Sequence, residues 1–125
     1  MSVILIVEDN EKNMILLRDV LQFKGYQTLE AATGTEGLRL AAEALPDLIL
    51  MDIQLPDIDG ITAFECLRAD PQTQKIPVVA VSASAMPDDQ QRIIASGFDA
   101  YITKPINVKS FIGTVERFIG KPQGK

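Results

Sequence analysis

The chain has 125 residues, of which 46% are hydrophobic and 23% charged, and its formal net charge is −5. These values are typical of one globular domain with a sizeable core, and they do not indicate a disordered chain. The acidic balance and the dispersed Lys and Arg residues disfavour direct binding to nucleic acid, which needs a positive surface. The sequence has no histidine and one cysteine, which excludes imidazole-dependent active sites, an internal disulfide and a cysteine-held metal cluster.

The sequence shows no targeting or membrane-spanning segment. No apolar run approaches the roughly 18 residues of a transmembrane helix, and the N-terminus enters a predicted strand without a signal-peptide pattern. We therefore expect a cytoplasmic protein without membrane contact. We expect residues 1–120 to form one domain and residues 121–125 a polar tail that is too short to link it to a further domain.

The first predicted strand, Val3–Val7, is a continuous apolar run that ends at an acidic pair, Glu8 and Asp9. Asn10 or Asp9 can cap the following helix, which we expect to stop at Gly25. The apolar positions of this helix repeat at helical spacing and are Met14, Leu17 and Leu21.

A weaker strand, Gln27–Ala31, follows and is expected nearer an edge of the sheet. Thr33 and Glu36 have the spacing of a capping box at the start of a second helix. Its apolar positions are Leu38, Ala41 and Leu45. Pro46 ends this helix, because the residue before a proline disfavours helical geometry.

The third strand, Asp47–Met51, is apolar on both faces, which is typical of a central strand in a parallel sheet. It leads directly to Asp52 and then to a loop. In this loop we predict that Gly60 serves a turn with positive φ. A third helix follows, with apolar positions Ile61, Phe64 and Leu67, and Cys66 is read as a small apolar filler on it.

The remaining segments repeat the alternation of strand and helix. The fourth strand is predicted over Ile76–Val81, and Pro87 and Gly97 mark the two ends of the fourth helix. The fifth strand is predicted over Asp99–Thr103, and Asn107 caps the last helix. The inner stripe of this last helix is predicted to be Val108, Phe111, Val115 and Phe118.

Five alternations of strand and helix predict an α/β fold with a parallel sheet covered by helices on both faces. The flavodoxin-like (βα)5 arrangement, with strand order 2-1-3-4-5, fits this pattern and places strands 1 and 3 side by side at the topological switch point. This order brings Glu8, Asp9 and Asp52 to one edge of the sheet.

Three neighbouring carboxylates repel one another unless they share a cation, and an oxygen-only set suits Mg²⁺, with Mn²⁺ as a substitute. Ser82 supplies a hydroxyl and Lys104 a positive charge at further strand ends. Taken singly, each of these residues has an ordinary interpretation as a cap, a turn residue or a surface lysine. Their joint position at successive strand ends favours a phosphoryl-transfer site with Asp52 as the nucleophile.

The segments VEDNEKN, LILMDIQLPDIDG, VVAVSASA and YITKP resemble, in order and spacing, the CheY-like receiver domain of two-component response regulators. The resemblance covers about residues 2–119. It implies that Glu8 and Asp9 are the acidic metal pair, that Asp52 is the phosphoacceptor and that the backbone carbonyl of Gln54 is a metal ligand. In this family the positions of Gln54 and Ser84 modulate hydrolysis of the phosphorylated form.

The same resemblance implies roles for residues on the last two strands. Ser82 takes the place of the switch Ser/Thr, and Lys104 that of the family's lysine, followed by a cis-proline at Pro105. Tyr101 takes the place of the switch aromatic residue, which turns inward on phosphorylation.

The implied function is that of a single-domain response regulator in a two-component system or phosphorelay. A histidine kinase or histidine phosphotransfer protein would phosphorylate Asp52 in the presence of Mg²⁺, and a protein partner would read the face formed by the fourth helix, fifth strand and fifth helix. The protein would not be an enzyme beyond its own phosphorylation and dephosphorylation. The alternatives are a phosphate shuttle or sink, a scaffold, and a Mg²⁺-dependent phosphohydrolase, which is disfavoured because position 54 is Gln and supplies no general acid.

Overall fold

A computed structural model describes residues 2–83 and 86–120, which form five strands and five helices in strict alternation. The strands are β1 (Val3–Val7), β2 (Gln27–Ala31), β3 (Leu48–Asp52), β4 (Val78–Ser82) and β5 (Ala100–Thr103). The helices are α1 (Glu11–Phe23), α2 (Gly34–Ala44), α3 (Gly60–Ala69), α4 (Pro87–Ala95) and α5 (Val108–Ile119). Ser84 and the tail 121–125 lie outside the described residues.

The strands form one parallel sheet in the order β2-β1-β3-β4-β5, which confirms the predicted topology and the edge position of β2. All five residues of β3 are buried, as expected for a strand that pairs on both sides. In the register of these pairs, Ile4 lies opposite Leu48 on one side and Asp52 lies opposite Val81 on the other. The central strand therefore carries Asp52 to the middle of the sheet's carboxyl edge.

Successive strand residues point to opposite faces, and each face is covered by its own set of helices. Ile4 and Ile6 pack with α1 and α5, whose buried residues are Met14, Leu17, Leu21, Phe111, Ile112 and Val115. Leu5 and Val7 pack with α2, α3 and α4, whose buried residues are Ala41, Ala63, Phe64, Leu67 and Ile93. Full burial of one such large aliphatic side chain contributes roughly 1.5–3 kcal/mol, and the predicted helix layers on both faces are confirmed.

The predicted helix caps are also confirmed. The side chains of Asn10, Thr33 and Asn107 each accept a hydrogen bond from the backbone N–H three residues later, which satisfies an otherwise unpaired donor of α1, α2 and α5. Pro87 is the first residue of α4, and Gly97 follows this helix with a φ of 109°. Within the described residues, every helix is too short or too polar to cross a lipid bilayer.

Three predictions about apolar positions are wrong. Val108 is 43% exposed because it is the first residue of α5, and the buried stripe begins one turn later with Phe111 and Ile112. Leu45 follows α2 as its C-cap residue in the left-handed conformation, with φ 47°, and its side chain is exposed. Cys66 lies on the exposed side of α3 and is not a core filler.

Candidate functional site

The carboxyl edge of the sheet collects the polar residues that follow the strands. Glu8 comes directly after β1, and Asp52 and Ser82 are the last residues of β3 and β4. Lys104 comes directly after β5, and its backbone N–H donates to the Ser82 carbonyl at 2.8 Å. Because all strands are parallel, their carboxyl ends meet at this edge.

Glu8, Asp9 and Asp52 form an acidic cluster in which one carboxylate oxygen of each lies within 4.8 Å of the others. Glu8 and Asp52 are buried, at 2% and 3% exposure, and Asp9 is exposed. The cluster is therefore closed on the protein side and open to solvent at Asp9.

Lys104 supplies the positive charge at this site. Its Nζ donates to Asp52 Oδ2 and to Glu8 Oε2, each at 3.2 Å. Burial lowers the pKa of Lys104, but attraction to Asp52 and Glu8 outweighs burial and the net pKa is raised. The peptide bond between Lys104 and Pro105 is cis.

Asn10 has a second role that sequence reasoning missed. Besides capping α1, its backbone N–H donates to Glu8 Oε2 at 3.1 Å. The signal for this contact was the position of Asn10 immediately after the acidic pair. The bond holds the Glu8 side chain toward the sheet edge, where Lys104 also reaches it.

The cluster carries more negative than positive charge. Burial first, and then the neighbouring Asp52, raise the pKa of Glu8 to about 7. Glu8 Oε1 lies 3.2 Å from Lys104 Nζ but accepts no hydrogen bond from the described residues. An acceptor left unpaired in a buried site is costly, and hard oxygen ligands with excess negative charge suit a divalent cation such as Mg²⁺. The residues present therefore fit a metal ion.

The loop from Ile53 to Asp59 lies beside Asp52 and is held tightly at its base. Asp52 Oδ1 accepts the backbone N–H of Gln54 at 2.9 Å, and the Ile53 carbonyl accepts the N–H of Gly60 at 2.8 Å. These bonds fix the backbone of Gln54 next to the Asp52 carboxylate, while the Gln54 side chain is exposed.

Gly60 is required at this loop for a reason other than the one predicted. The expected positive φ is wrong, since Gly60 is the first residue of α3 and is not among the residues with positive φ. A Cβ atom on Gly60 would lie 2.5 Å from the Asp52 carbonyl oxygen and 2.7 Å from Ile53 Cα. The absence of a side chain therefore allows α3 to start against the backbone of β3.

The two residues predicted to act in switching are in different environments. Ser82 is buried and pairs with Thr103 in the β4–β5 register. Tyr101 is on the surface of β5, and its hydroxyl donates to Gln90 Oε1 of α4 at 2.9 Å. The structure therefore places Ser82 at the sheet edge with the acidic cluster and Tyr101 on the face next to α4.

Comparison with known proteins identifies the class of protein that this fold and site define. The sequence pattern of the response regulator receiver domain matches residues 4–116. The chain belongs to the response regulator receiver domain family.

Comparison with individual proteins shows which response regulators have similar sequences. The chain is 49% identical over 117 residues to the polar-differentiation response regulator DivK of Brucella ovis, which covers 94% of this chain and 95% of that protein. The segments VEDNEKNM and MDIQLP predict this similarity to DivK from the sequence, and it is confirmed. The chain is thus a DivK-like receiver domain of a response regulator.

Solved structures agree with this assignment. The receiver domain of a sensor histidine kinase of Pseudomonas aeruginosa, crystallised with a magnesium ion coordinated in its active-site cleft, has a TM-score of 0.88 and 32% identity, over 96% of this chain and 98% of that one. The chemotaxis protein CheY4 of Vibrio cholerae has a TM-score of 0.87 and 27% identity, over 94% and 98% of the two chains.

Proposed function

We propose that this protein is a phosphorylation switch in a two-component system or phosphorelay, with Asp52 as the phosphoacceptor. The observation that carries the proposal is the placement of the Asp52 carboxylate. It is buried at the end of the central strand, 3.2 Å from the Lys104 ammonium group and within 4.8 Å of the carboxylates of Glu8 and Asp9. The donor would be a histidine kinase or a histidine phosphotransfer protein, since members of this family act in such systems.

The proposed metal is Mg²⁺, which Mn²⁺ can replace. Glu8, Asp9, Asp52 and the backbone carbonyl of Gln54 would hold it, and Glu8 Oε1, which accepts no hydrogen bond from the described part of the chain, supports this assignment. The bound cation supplies positive charge that offsets the charge on the phosphoryl oxygens. The magnesium ion in the similar receiver domain of Pseudomonas aeruginosa also supports the choice.

The reaction uses the chain's own groups in the following roles. A carboxylate oxygen of Asp52 forms a bond to phosphorus while the phosphorus–nitrogen bond of the donor phosphohistidine breaks, and the imidazole leaves. Lys104 keeps its proton, because its pKa is raised, and presents a positive charge to the transferring group. The Ser82 hydroxyl donates to a phosphoryl oxygen. The only chemistry proposed is the protein's own phosphorylation and dephosphorylation.

Output is proposed to occur through a protein partner that reads the face of α4, β5 and α5. The Tyr101 hydroxyl is bonded to Gln90 of α4, so an inward turn of Tyr101 has to break that bond and alter this face. A local charge event at Asp52 would in this way bias a two-state element that a partner recognises.

The test is intact mass after incubation with acetyl phosphate, with and without Mg²⁺. We expect a gain of one phosphoryl group that depends on Mg²⁺ and is absent in Asp52→Ala. The variant should fold normally, because removing Asp52 relieves its repulsion with Glu8. Asp70→Ala, which removes a carboxylate from the loop after α3, is the matched control and should label fully.

Two outcomes would contradict the proposal. One is labelling of Asp52→Ala equal to that of the unchanged protein. The other is absence of labelling together with failure to bind beryllofluoride, a stable mimic of the phosphoryl group. Transfer of the label from the phosphorylated protein to a phosphotransfer domain, without altered partner binding, would replace the switch by a phosphate shuttle.

A further inference from the structure

The loop between β3 and α3 is attached to α2 through Asp57, a residue that neither the acidic cluster nor the proposed reaction uses. Asp57 Oδ1 accepts the backbone N–H of Gly34 at 2.8 Å. Asp57 Oδ2 accepts the backbone N–H of Thr35 at 2.9 Å and the Thr35 hydroxyl at 2.5 Å. One carboxylate thus joins two segments that are 22 or more residues apart in the sequence. We refer to these three hydrogen bonds as the Asp57 clamp.

The clamp has electrostatic support. Gly34 and Thr35 are the first two residues of α2, where unpaired N–H groups and the helix dipole favour an anion. The Thr35 hydroxyl, and then the backbone N–H of Thr35, hold the pKa of Asp57 well below its usual range. The carboxylate is therefore ionised at neutral pH and bonded through both oxygens.

An apolar contact lies beside the clamp. A Cβ atom on Gly34 would be 2.5 Å from Ile58 Cγ1 and 3.0 Å from Ile58 Cδ1. Ile58 therefore covers a position that is open only because residue 34 is glycine. Asp57 and Ile58 together hold the outer part of the β3–α3 loop against the N-terminus of α2.

The N-terminal half of α2 is itself held against β1. A Cβ atom on Gly37 would be 2.7 Å from Val7 Cγ2, so the helix packs directly on the last residue of β1. The backbone N–H of Glu8 donates to the Ala31 carbonyl at 3.0 Å, at the end of β2 and shortly before α2 begins. These contacts fix the position of the start of α2 relative to Glu8 of the acidic cluster.

We propose that Asp57 is a positioning residue that sets the Gln54 backbone relative to Glu8 and Asp9, by clamping the β3–α3 loop to α2. The importance of this placement rests on the proposed function, in which the Gln54 carbonyl is a metal ligand. The base of the loop is fixed by Gly60 and by the bond from Gln54 to Asp52. The Asp57 clamp attaches the loop a second time, to α2. Asp57 follows Gln54 in the sequence, whereas Asp52 precedes it.

The first test is hydrogen exchange in Asp57→Ala without metal. We expect faster exchange of the Gly34 and Thr35 amides, which lose their acceptor, and also of the Gln54 amide, whose own acceptor on Asp52 is untouched. Thr35→Val keeps the two backbone donors and removes the hydroxyl, so it should give a smaller change in the same direction. Asp70→Ala is the matched control and should leave Gln54 exchange unchanged, because the Asp70 carboxylate accepts a hydrogen bond within its own turn, from the Gln72 N–H.

The second test is the Mg²⁺ dissociation constant, measured by amide chemical shifts. Groups that orient metal ligands typically change metal affinity by tenfold or more when removed, and we expect an increase of about tenfold in Asp57→Ala. Melting temperatures recorded beside it separate positioning from general stability. A loss of stability with unchanged Mg²⁺ affinity and unchanged Gln54 exchange would overturn the inference.

The two proposals fail in distinguishable ways. If the unchanged protein binds no Mg²⁺, the proposed function fails, whereas the exchange of the Gln54 amide in Asp57→Ala still tests the clamp. If the unchanged protein binds Mg²⁺ and accepts the phosphoryl group but Asp57→Ala does so equally well, the clamp has no positioning role and the proposed function stands.

Discussion

The carboxyl edge of the sheet, where the parallel strands end, and the amino edge, where they begin, differ in how their charged side chains are paired. Among the residues that the structure describes at the carboxyl edge, the buried Glu8 and Asp52 face a single cation, Lys104, and Glu8 keeps one oxygen without a hydrogen bond. At the amino edge, Arg68 pairs with Asp99 in a partly exposed position. Both are ion-pair sites, but only the first is unbalanced.

At the amino edge, both members of the ion pair, Arg68 and Asp99, have further partners. Arg68 donates to the Ile76 carbonyl at 2.8 Å and to Asp99 Oδ2 at 2.9 Å, and its guanidinium lies 4.6 Å from the centre of the Phe64 ring. Asp99 also accepts the backbone N–H of Val78 at 2.8 Å, where β4 begins. These contacts tie α3 to the starts of β4 and β5.

Compared with the amino edge, the arrangement of charges at the carboxyl edge lowers the stability of the fold. A partnered, half-exposed pair can stabilise the fold modestly, whereas two buried carboxylates that share one lysine oppose folding until further positive charge arrives. An unbalanced buried site is typical of functional positions. The predictions below test this contrast, in order of decreasing expected effect.

Lys104→Met should cause the largest loss of stability. The pKa of Lys104 is raised, so its contribution is fully present at any pH below the ordinary lysine value and is removed by the substitution. We expect a decrease of about 3 kcal/mol in the free energy of unfolding near neutral pH, because two buried carboxylates lose their cation. Urea denaturation measures this, and Mg²⁺ should restore part of the loss. Lys75→Met, which changes an exposed lysine, is the control, and an equal loss there would refute the contrast.

Glu8→Gln should stabilise the metal-free protein as the pH rises. The pKa of Glu8 is raised from 4.5 to about 7, so the folded state holds this proton more tightly and Glu8 costs stability progressively as the pH rises through that window. We expect the variant to match the unchanged protein near the lower value and to exceed it by about 2 kcal/mol above the upper one. Denaturation midpoints across this range, without Mg²⁺, measure the difference. A constant difference at every pH would contradict the assigned burial effect.

Arg68→Met should have the smallest effect, and one that Mg²⁺ does not change. It removes a half-exposed ion pair and a hydrogen bond to the Ile76 carbonyl, and we expect a loss of about 1 kcal/mol. The same loss should be measured with and without Mg²⁺. A loss that depends on the metal would mean that the two edges of the sheet are coupled.

The sequence was sufficient for the framework of the fold because its signals are local. Apolar segments and caps predicted the alternating strands and helices, and the flavodoxin-like arrangement that fits this alternation predicted the strand order. This order places Glu8, Asp52 and Lys104 at one edge. The predicted bounds of β1 and β2 are confirmed, whereas those of β3, β4 and β5 are wrong by one or two residues. β4 begins at Val78, because Ile76 is bonded into the preceding turn through its N–H, which donates to the Thr73 carbonyl.

The details that the sequence could not supply depend on tertiary contacts. The pairing of Asp57 with the start of α2 joins distant segments through backbone donors, which no residue pattern encodes. The close approach at Gly60 likewise follows from the path of α3 against β3. Helical spacing alone could not tell that Val108 faces solvent, because its position in the first turn of α5 decides this.

The exposed thiol of Cys66 allows the protein to be labelled for fluorescence spectroscopy without a change of sequence. The chain has one cysteine and no tryptophan, so a thiol-reactive dye attaches at one position and is observed without indole background. Cys66 lies on α3, which begins at Gly60 directly against the Asp52 carbonyl. A dye on this helix is therefore attached to the element that starts against the backbone of the proposed phosphoacceptor, and single molecules can be followed without engineering a label site.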